Sequence, residues 1–231
     1  MLELVNLTKY YPTPMGRHYV FRGLNFKFPE DASIGLMGRN GAGKSTLMRI
    51  IAGVEVPDQG YVRTDRTMSW RVGLGGGFQG SLSSRDNVRF VCRLFSTSPQ
   101  ETREKVRFVE EFAEIGKFFD LPMKTLSSGM RGRVTFGLSL AFEFDYYLID
   151  EGMAAGDPIF RKKAQAAFQA HVAKGKLILV SHNPKDIQSM CDVVVILEDG
   201  KATLYDDVKE GLELYQNMQQ KRQQSAKVEG T

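Results

Sequence analysis

The stretch Ile34-Gly35-Leu36-Met37-Gly38-Arg39-Asn40-Gly41-Ala42-Gly43-Lys44-Ser45-Thr46 decides the fold class. A short apolar run of strand type empties into a glycine-rich loop that fits the pattern G-x-x-x-x-G-K-[ST]. From Lys44 to Ala52, apolar residues fall at Leu47, Ile50 and Ile51, the period of a helix. A strand, a glycine loop and a helix in that order make a phosphate cradle. The glycines let backbone N–H groups turn inward, and the helix start presents unpaired N–H groups and a partial positive charge to an anion. Lys44 would reach the β- and γ-phosphates of a nucleotide, and the Ser45 hydroxyl would bind Mg²⁺. The candidate binding residues here are Gly38, Asn40, Gly41, Gly43, Lys44, Ser45 and Thr46. The bland alternative is a glycine turn that caps a structural helix.

Outward from the loop, strands and helices alternate. Leu2-Glu3-Leu4-Val5 and Val20 to Phe28 read as strands, and these early strands form an antiparallel layer of their own. Pro57-Asp58-Gln59-Gly60 is a turn before a strand-like Tyr61 to Thr64. Trp70 to Phe78 begins as a strand and runs into glycines. Residues 83–140 are charged and helical in period, with Pro99 at a first helical turn. They read as a helical subdomain inserted in the core. Tyr146 to Ile149, Leu177 to Val180 and Val193 to Leu197 are apolar runs of buried-strand type, and a helix spans about Pro158 to Ala173. Glu198-Asp199-Gly200-Lys201 signals a hairpin. The Gln-rich residues of about 217–231 read as a flexible tail. The whole predicts one α/β domain over 1–231: a P-loop NTPase core with a mainly parallel sheet, an antiparallel β layer and the inserted helical subdomain.

Composition narrows the class. The chain has 231 residues, 42% of them hydrophobic, and no apolar run of the ~18 residues a membrane span needs. Its N-terminus has neither the basic region nor the apolar core of a signal peptide, so the expected location is cytoplasmic. The net charge of +4 is mild, and no nucleic-acid partner is expected from it. Cys92 and Cys191 lack metal-ligand spacing and read as packed, reduced thiols.

A second candidate site closes the strand Tyr146-Tyr147-Leu148-Ile149 with Asp150 and Glu151. Strand ends in open α/β sheets are where ligands bind. Asp150 would hold Mg²⁺ through its water shell, and Glu151 could polarise the attacking water as a general base. Solvated acids at a strand end are the alternative.

Between these motifs lies Leu126-Ser127-Ser128-Gly129-Met130-Arg131-Gly132-Arg133, at the start of a helical pattern. It resembles the L-S-G-G-Q signature of ABC transporter ATPases, with Ser128 in place of the first glycine and Met130 in place of the glutamine. The order of motifs over nearly the whole chain is that family's order. The resemblance implies a set of further roles. Ser127 and Gly129 would contact ATP held by a second copy, and Ser127 can also cap its helix. His182 stands where the family places its switch histidine, beside the γ-phosphate. Asp157 matches the D-loop aspartate. Gln79 resembles the Q-loop glutamine that bridges Mg²⁺ to the helical subdomain, with Asp86-Asn87 following. Tyr11 resembles the aromatic that stacks on adenine, and the adjacent Tyr10 could serve instead.

Gly76 to Leu82, the Ser127 stretch and Asp150 to Asp157 look most like the ATPases of capsular-polysaccharide exporters, close to those for O-antigen and teichoic acid. That branch implies a homodimer at the cytoplasmic face of the inner membrane, under two copies of a separate transmembrane permease. The docking groove would lie beside residues 78–95, where Phe78, Leu82 and Phe90 could line it or pack in the core. Two other classes fit the P-loop: a soluble ABC ATPase acting on DNA or ribosomes, and a P-loop kinase or non-hydrolysing scaffold.

Overall fold

Strand β1 (Leu2–Thr13) pairs antiparallel with β2 (Gly16–Lys27) and with β4 (Gln59–Thr64), giving a three-stranded sheet in the order β2-β1-β4. The computed structural model describes residues 1–71, 78–150, 158–172, 175–181 and 183–229. A two-residue loop at Pro14-Met15 joins β1 to β2, with Thr13 opposite Gly16. Both strands therefore run further toward the loop than the alternation at Leu2 to Val5 and Val20 to Phe28 predicts. Residues 9–19 are all half-buried or exposed, so neither face of the strands there needs a row of apolar side chains, and no alternation marks them in the sequence.

A second sheet has six strands in the order β5-β6-β7-β3-β8-β9. These are β3 (Ile34–Met37), β5 (Met68–Arg71), β6 (Tyr146–Asp150), β7 (Lys176–Val180), β8 (Val193–Glu198) and β9 (Lys201–Tyr205). Central β3 is parallel to both β7 and β8, and β9 returns antiparallel to β8. Its β8–β9 turn is the expected hairpin, with Asp199 and Gly200 at φ 46° and 74°. Positive φ at both central residues suits a type I′ turn. The start of β3 is held by Asp192, whose carboxylate accepts from the Ser33 N–H and whose own N–H donates to the Ser33 carbonyl, both at 2.7 Å.

The chain divides into two compact units. Among the described residues, the first holds 1–68, 148–150 and 176–229. Its core gathers β3, whose four residues are all buried, with the inner face of helix α1 (Lys44–Ile51) and with β7 and β8. Each fully buried Leu or Ile here contributes roughly 1.5–3 kcal/mol.

The second unit holds 69–147, 158–172 and Gly175. It carries α2 (Ser84–Leu94), α3 (Pro99–Ala113), α4 (Ser128–Leu140) and α5 (Pro158–Val172). Pro99 is at the first helical position of α3 as expected, between Ser98 and Glu101, which form a capping box. Phe112, Phe136, Phe160 and Phe168 make a contiguous aromatic core for this unit. The lone Trp70 packs on Phe95, Phe142 and Phe144 and donates its indole N–H to the Ser139 hydroxyl at 2.9 Å.

Two helices go beyond the sequence reading. The seven-residue α6 (Pro184–Met190) is too short to show a period; its start is set by Asn183, whose side chain accepts from the Lys185 N–H. Helix α7 spans Val208–Glu229, across most of the segment expected to be a flexible tail. Gln, Lys and Arg are good helix formers, so a polar composition does not oppose a helix. Arg222 on α7 also pairs with Glu198 at the end of β8.

Candidate active site

The phosphate loop leaves the buried end of β3 and enters α1. At Gly38 a Cβ would come within 2.4 Å of the Leu197 carbonyl, and at Gly43 within 2.3 Å of Val20 and 2.7 Å of the Phe21 ring. Both glycines have positive φ, 155° and 94°. Only residues without a side chain let the loop press against β8 on one flank and β2 on the other. Gly43 is also the N-cap of α1, and it offers no side-chain acceptor to the first N–H groups of that helix. No acidic side chain lies in the first turn either. Neither a cap side chain nor a first-turn acid therefore offsets the partial positive charge of the helix start, which suits an anionic ligand.

A cleft of about 480 Å³ opens over this loop. Tyr11, His18 and Val20 form one wall, and Asn40, Gly41 and Gly43 to Thr46 the other. The Lys44 side chain is buried against the loop, its ammonium donating to the carbonyls of Gly38 at 2.7 Å and Arg39 at 3.0 Å. Ser45 is half-buried in the lining, and Thr46 is buried. Asp150 ends β6 and is 7% exposed, a buried carboxylate of the kind an ion site needs.

Of the two tyrosines left open as the adenine-stacking residue, Tyr11 lines the cleft. Tyr10 instead packs on Tyr19 with Arg17 over its ring. The Tyr11 hydroxyl donates to Glu55 at 2.7 Å and accepts from Arg49 at 3.0 Å. Arg49 also reaches Glu55 at 2.8 Å and the Thr46 hydroxyl at 3.2 Å, and Lys9 meets Glu55 at 3.1 Å. This network ties the ring to the P-loop helix. Burial raises the Glu55 carboxyl, but hydrogen bonds from Arg49, Tyr11 and Lys9 outweigh it and hold the group below the usual carboxylate range.

Sequence reasoning missed Glu55, Arg49 and His18. The first two carry no local signal. His18 was legible in principle: the Pro14-Met15 turn sets a register in which residue 18 faces residue 11.

In the second unit, Ser127 is the N-cap of α4, its hydroxyl accepting from the Met130 N–H at 3.2 Å. Ser127 is exposed and Gly129 half-exposed in the first turn behind it. Gln79 is exposed on a segment laced to the residues just before Ser127. The Lys124 N–H donates to Gly80 and the Met123 N–H to Leu82, both at 2.9 Å. A cavity of about 410 Å³ lies between Phe78 and Gly80 on one side and the first turns of α4 on the other. Leu82 and Phe90, proposed for a docking groove, are 38% and 41% exposed. Glu151, Asp157 and His182 lie outside the described residues.

This cradle, cleft and signature helix define a nucleotide-binding cassette, and residues 21–154 match the family model described as ABC transporter. The chain belongs to the ABC transporter family of ATP-binding subunits, which are ATPases. It is 53% identical over 216 residues to the polysialic acid transport ATP-binding protein KpsT of Escherichia coli, covering 93% of this chain and 98% of that protein. It is 41% identical over 219 residues to the ATP-binding protein BexA of Haemophilus influenzae, covering 95% and 100%. The dimeric structure of a post-hydrolysis state of the cassette MJ0796 bound to ADP and Pi superposes with a TM-score of 0.70 at 21% identity, covering 89% of this chain and 98% of that one. Among the described residues no helix is long and apolar enough to cross a membrane.

Proposed function

We propose that the chain binds MgATP in the P-loop cleft and hydrolyses it as one half of a homodimer, energising export of capsular polysaccharide or a related glycan through a separate membrane permease. The observation that carries the nucleotide reading is the uncapped α1 N-terminus behind Gly43, with Lys44 at its first position and Tyr11 across the cleft. The exported glycan rests on the 53% identity to a polysialic acid transport ATP-binding protein.

In this reading the α1 N–H groups and Lys44 grip the β- and γ-phosphates, and Tyr11 stacks on the base. Ser45, Asp150 and Gln79 hold Mg²⁺, which when bound offsets phosphate charge and polarises the γ-phosphoryl group. Glu151 takes a proton from the attacking water, and His182 helps hold that water. Ser127 and Gly129 of the second copy meet the same γ-phosphate, with Asp157 at the shared boundary. Two copies then hold together only while that phosphate is present, a differential interaction between two states. Because residues 80–82 are hydrogen-bonded to residues 123 and 124, motion at Gln79 and at the Ser127 helix start is shared.

The subunit would sit peripherally on the inner face of the membrane, with two permease copies above the exposed Leu82 and Phe90. Complementation tests the whole reading. In Escherichia coli lacking KpsT, the wild-type chain should restore surface polysaccharide and Lys44→Ala should not. Equal restoration by both would contradict an ATP-driven role.

A further inference from the structure

We propose that His18 is a second base-stacking residue, forming with Tyr11 a two-ring wall that selects purine over pyrimidine nucleotides. This role rests on the proposed function, in which Tyr11 stacks on the base. Strand register places the two rings. Tyr10 faces Tyr19 across β1 and β2, and the next pair toward the turn is Tyr11 with His18, with no break in register between them. Successive side chains on a strand point to opposite faces. Tyr10 and Tyr19 bring their rings to 5.3 Å on one face, so Tyr11 and His18 both project from the other. That face is the cleft wall, and both residues line it.

Directly opposed residues of an antiparallel pair hold their Cβ atoms about 5 Å apart. Tyr11 and His18 therefore stand side by side, a phenol ring next to an imidazole. A purine has two fused rings and spans both. A pyrimidine has one ring and is covered by Tyr11 alone. Tyr11 is the fixed half of the wall, since its hydroxyl is held by Glu55 and Arg49. His18 is the open half. It is exposed, and among the described residues its imidazole makes no hydrogen bond, ion pair or ring contact. A flat ring with no partner in the chain, next to a base platform, gains its stacking contact only when the base arrives. Asn40, Gly41 and Lys44 lie on the opposite wall, so the phosphates are gripped without His18.

The test is His18→Ala in the full chain, with binding of ADP, CDP and inorganic pyrophosphate, each with Mg²⁺, measured by calorimetry. These ligands share the phosphate grip and differ in the base. His18→Ala should weaken ADP about fivefold or more, the lower end of what losing one stacked ring costs, and leave CDP and pyrophosphate near wild type. His18→Phe restores a flat ring without polar atoms and should recover ADP. Unchanged ADP affinity in His18→Ala would overturn the proposal. So would an equal loss of ADP and CDP, since that is a contact to sugar or phosphate and not to the base. A His18→Phe protein that stays weak for ADP would also overturn it, since the role is then polar and not stacking. Lys44→Ala separates this role from the reading beneath it. If Lys44→Ala loses all three ligands while His18→Ala keeps ADP, only the role of His18 fails; if Lys44→Ala binds them normally, the P-loop reading fails and this role with it.

Discussion

The buried side chain of Asn87 grips the backbone of Gln79 from both sides: its Oδ1 accepts the Gln79 N–H at 2.8 Å and its Nδ2 donates to the Gln79 carbonyl at 3.1 Å. The same amide nitrogen reaches the carbonyls of Leu82 at 3.3 Å and Ser83 at 2.9 Å. Asn87 is 0% exposed and sits on α2, so the segment carrying Gln79 is pinned to the helical unit through one side chain.

Asn87→Ala should therefore cost stability and turnover together. Losing these part-buried hydrogen bonds costs about 0.5–1.5 kcal/mol for each bond, read as a lower urea midpoint. ATP binding by the P-loop should persist while hydrolysis slows, because Gln79 loses its fixed place. Full hydrolysis in a destabilised Asn87→Ala would show that pinning this segment is irrelevant to turnover.

Ser127 offers a separation of capping from ligand contact. Ser127→Ala removes the hydroxyl that accepts from Met130, at a cost of about 1 kcal/mol. Ser127→Asp restores a good cap but puts a negative charge where a γ-phosphate is proposed to lie. The aspartate variant should melt like wild type and hydrolyse ATP far more slowly. Near-normal turnover in Ser127→Asp would reduce this residue to a plain helix start.

The division between what the residues announce and what only the fold reveals follows the range of the interaction. Gly38 to Thr46, Pro99 at a helix start and Asp199-Gly200 in a hairpin are local rules, set by backbone torsions and by groups a few residues apart. Ser127 as a cap belongs with them. Asn87 holding Gln79 was half visible, as a neighbouring motif with no stated partner. Glu55 on Tyr11 and the Tyr215 hydroxyl on the Gly38 carbonyl join residues 44 and 177 apart, and no periodicity or spacing points to either. Helix α7 was hidden for a different reason, since a glutamine-rich segment reads alike as coil and as helix.

The Glu55 network predicts a pH signature. Its carboxyl lies below the usual range in the folded chain, so its contribution is fully present above the unfolded carboxylate pKa and is lost as pH falls through the folded value. Glu55→Gln should melt below wild type at neutral pH, and the gap should narrow in acid. Tyr11→Phe, which keeps the ring and cuts its tether, should weaken ATP binding more than it lowers melting. A gap that stays constant from pH 7 to about 3 would contradict the assigned role of the Glu55 charge.

Both cysteines should be silent in the native state. Burial, with the Asp192 charge adding to it, pushes the Cys191 thiol up to about 12, and burial also raises Cys92. Only the thiolate attacks a disulfide reagent. At pH 8, Ellman's reagent should label neither residue until denaturant is added, and rapid labelling of the folded chain would show that the packing around them is wrong.

The central claim, a triphosphate shared between Lys44 of one copy and Ser127 of the other, is tested most directly by the mass in solution of the hydrolysis-impaired Glu151→Gln variant. Light scattering should give a monomer mass without nucleotide and twice that mass with MgATP, and adding Ser127→Asp should return the monomer while ATP stays bound. A Glu151→Gln protein saturated with MgATP that remains a monomer, or a Ser127→Asp double variant that still dimerises, would contradict it.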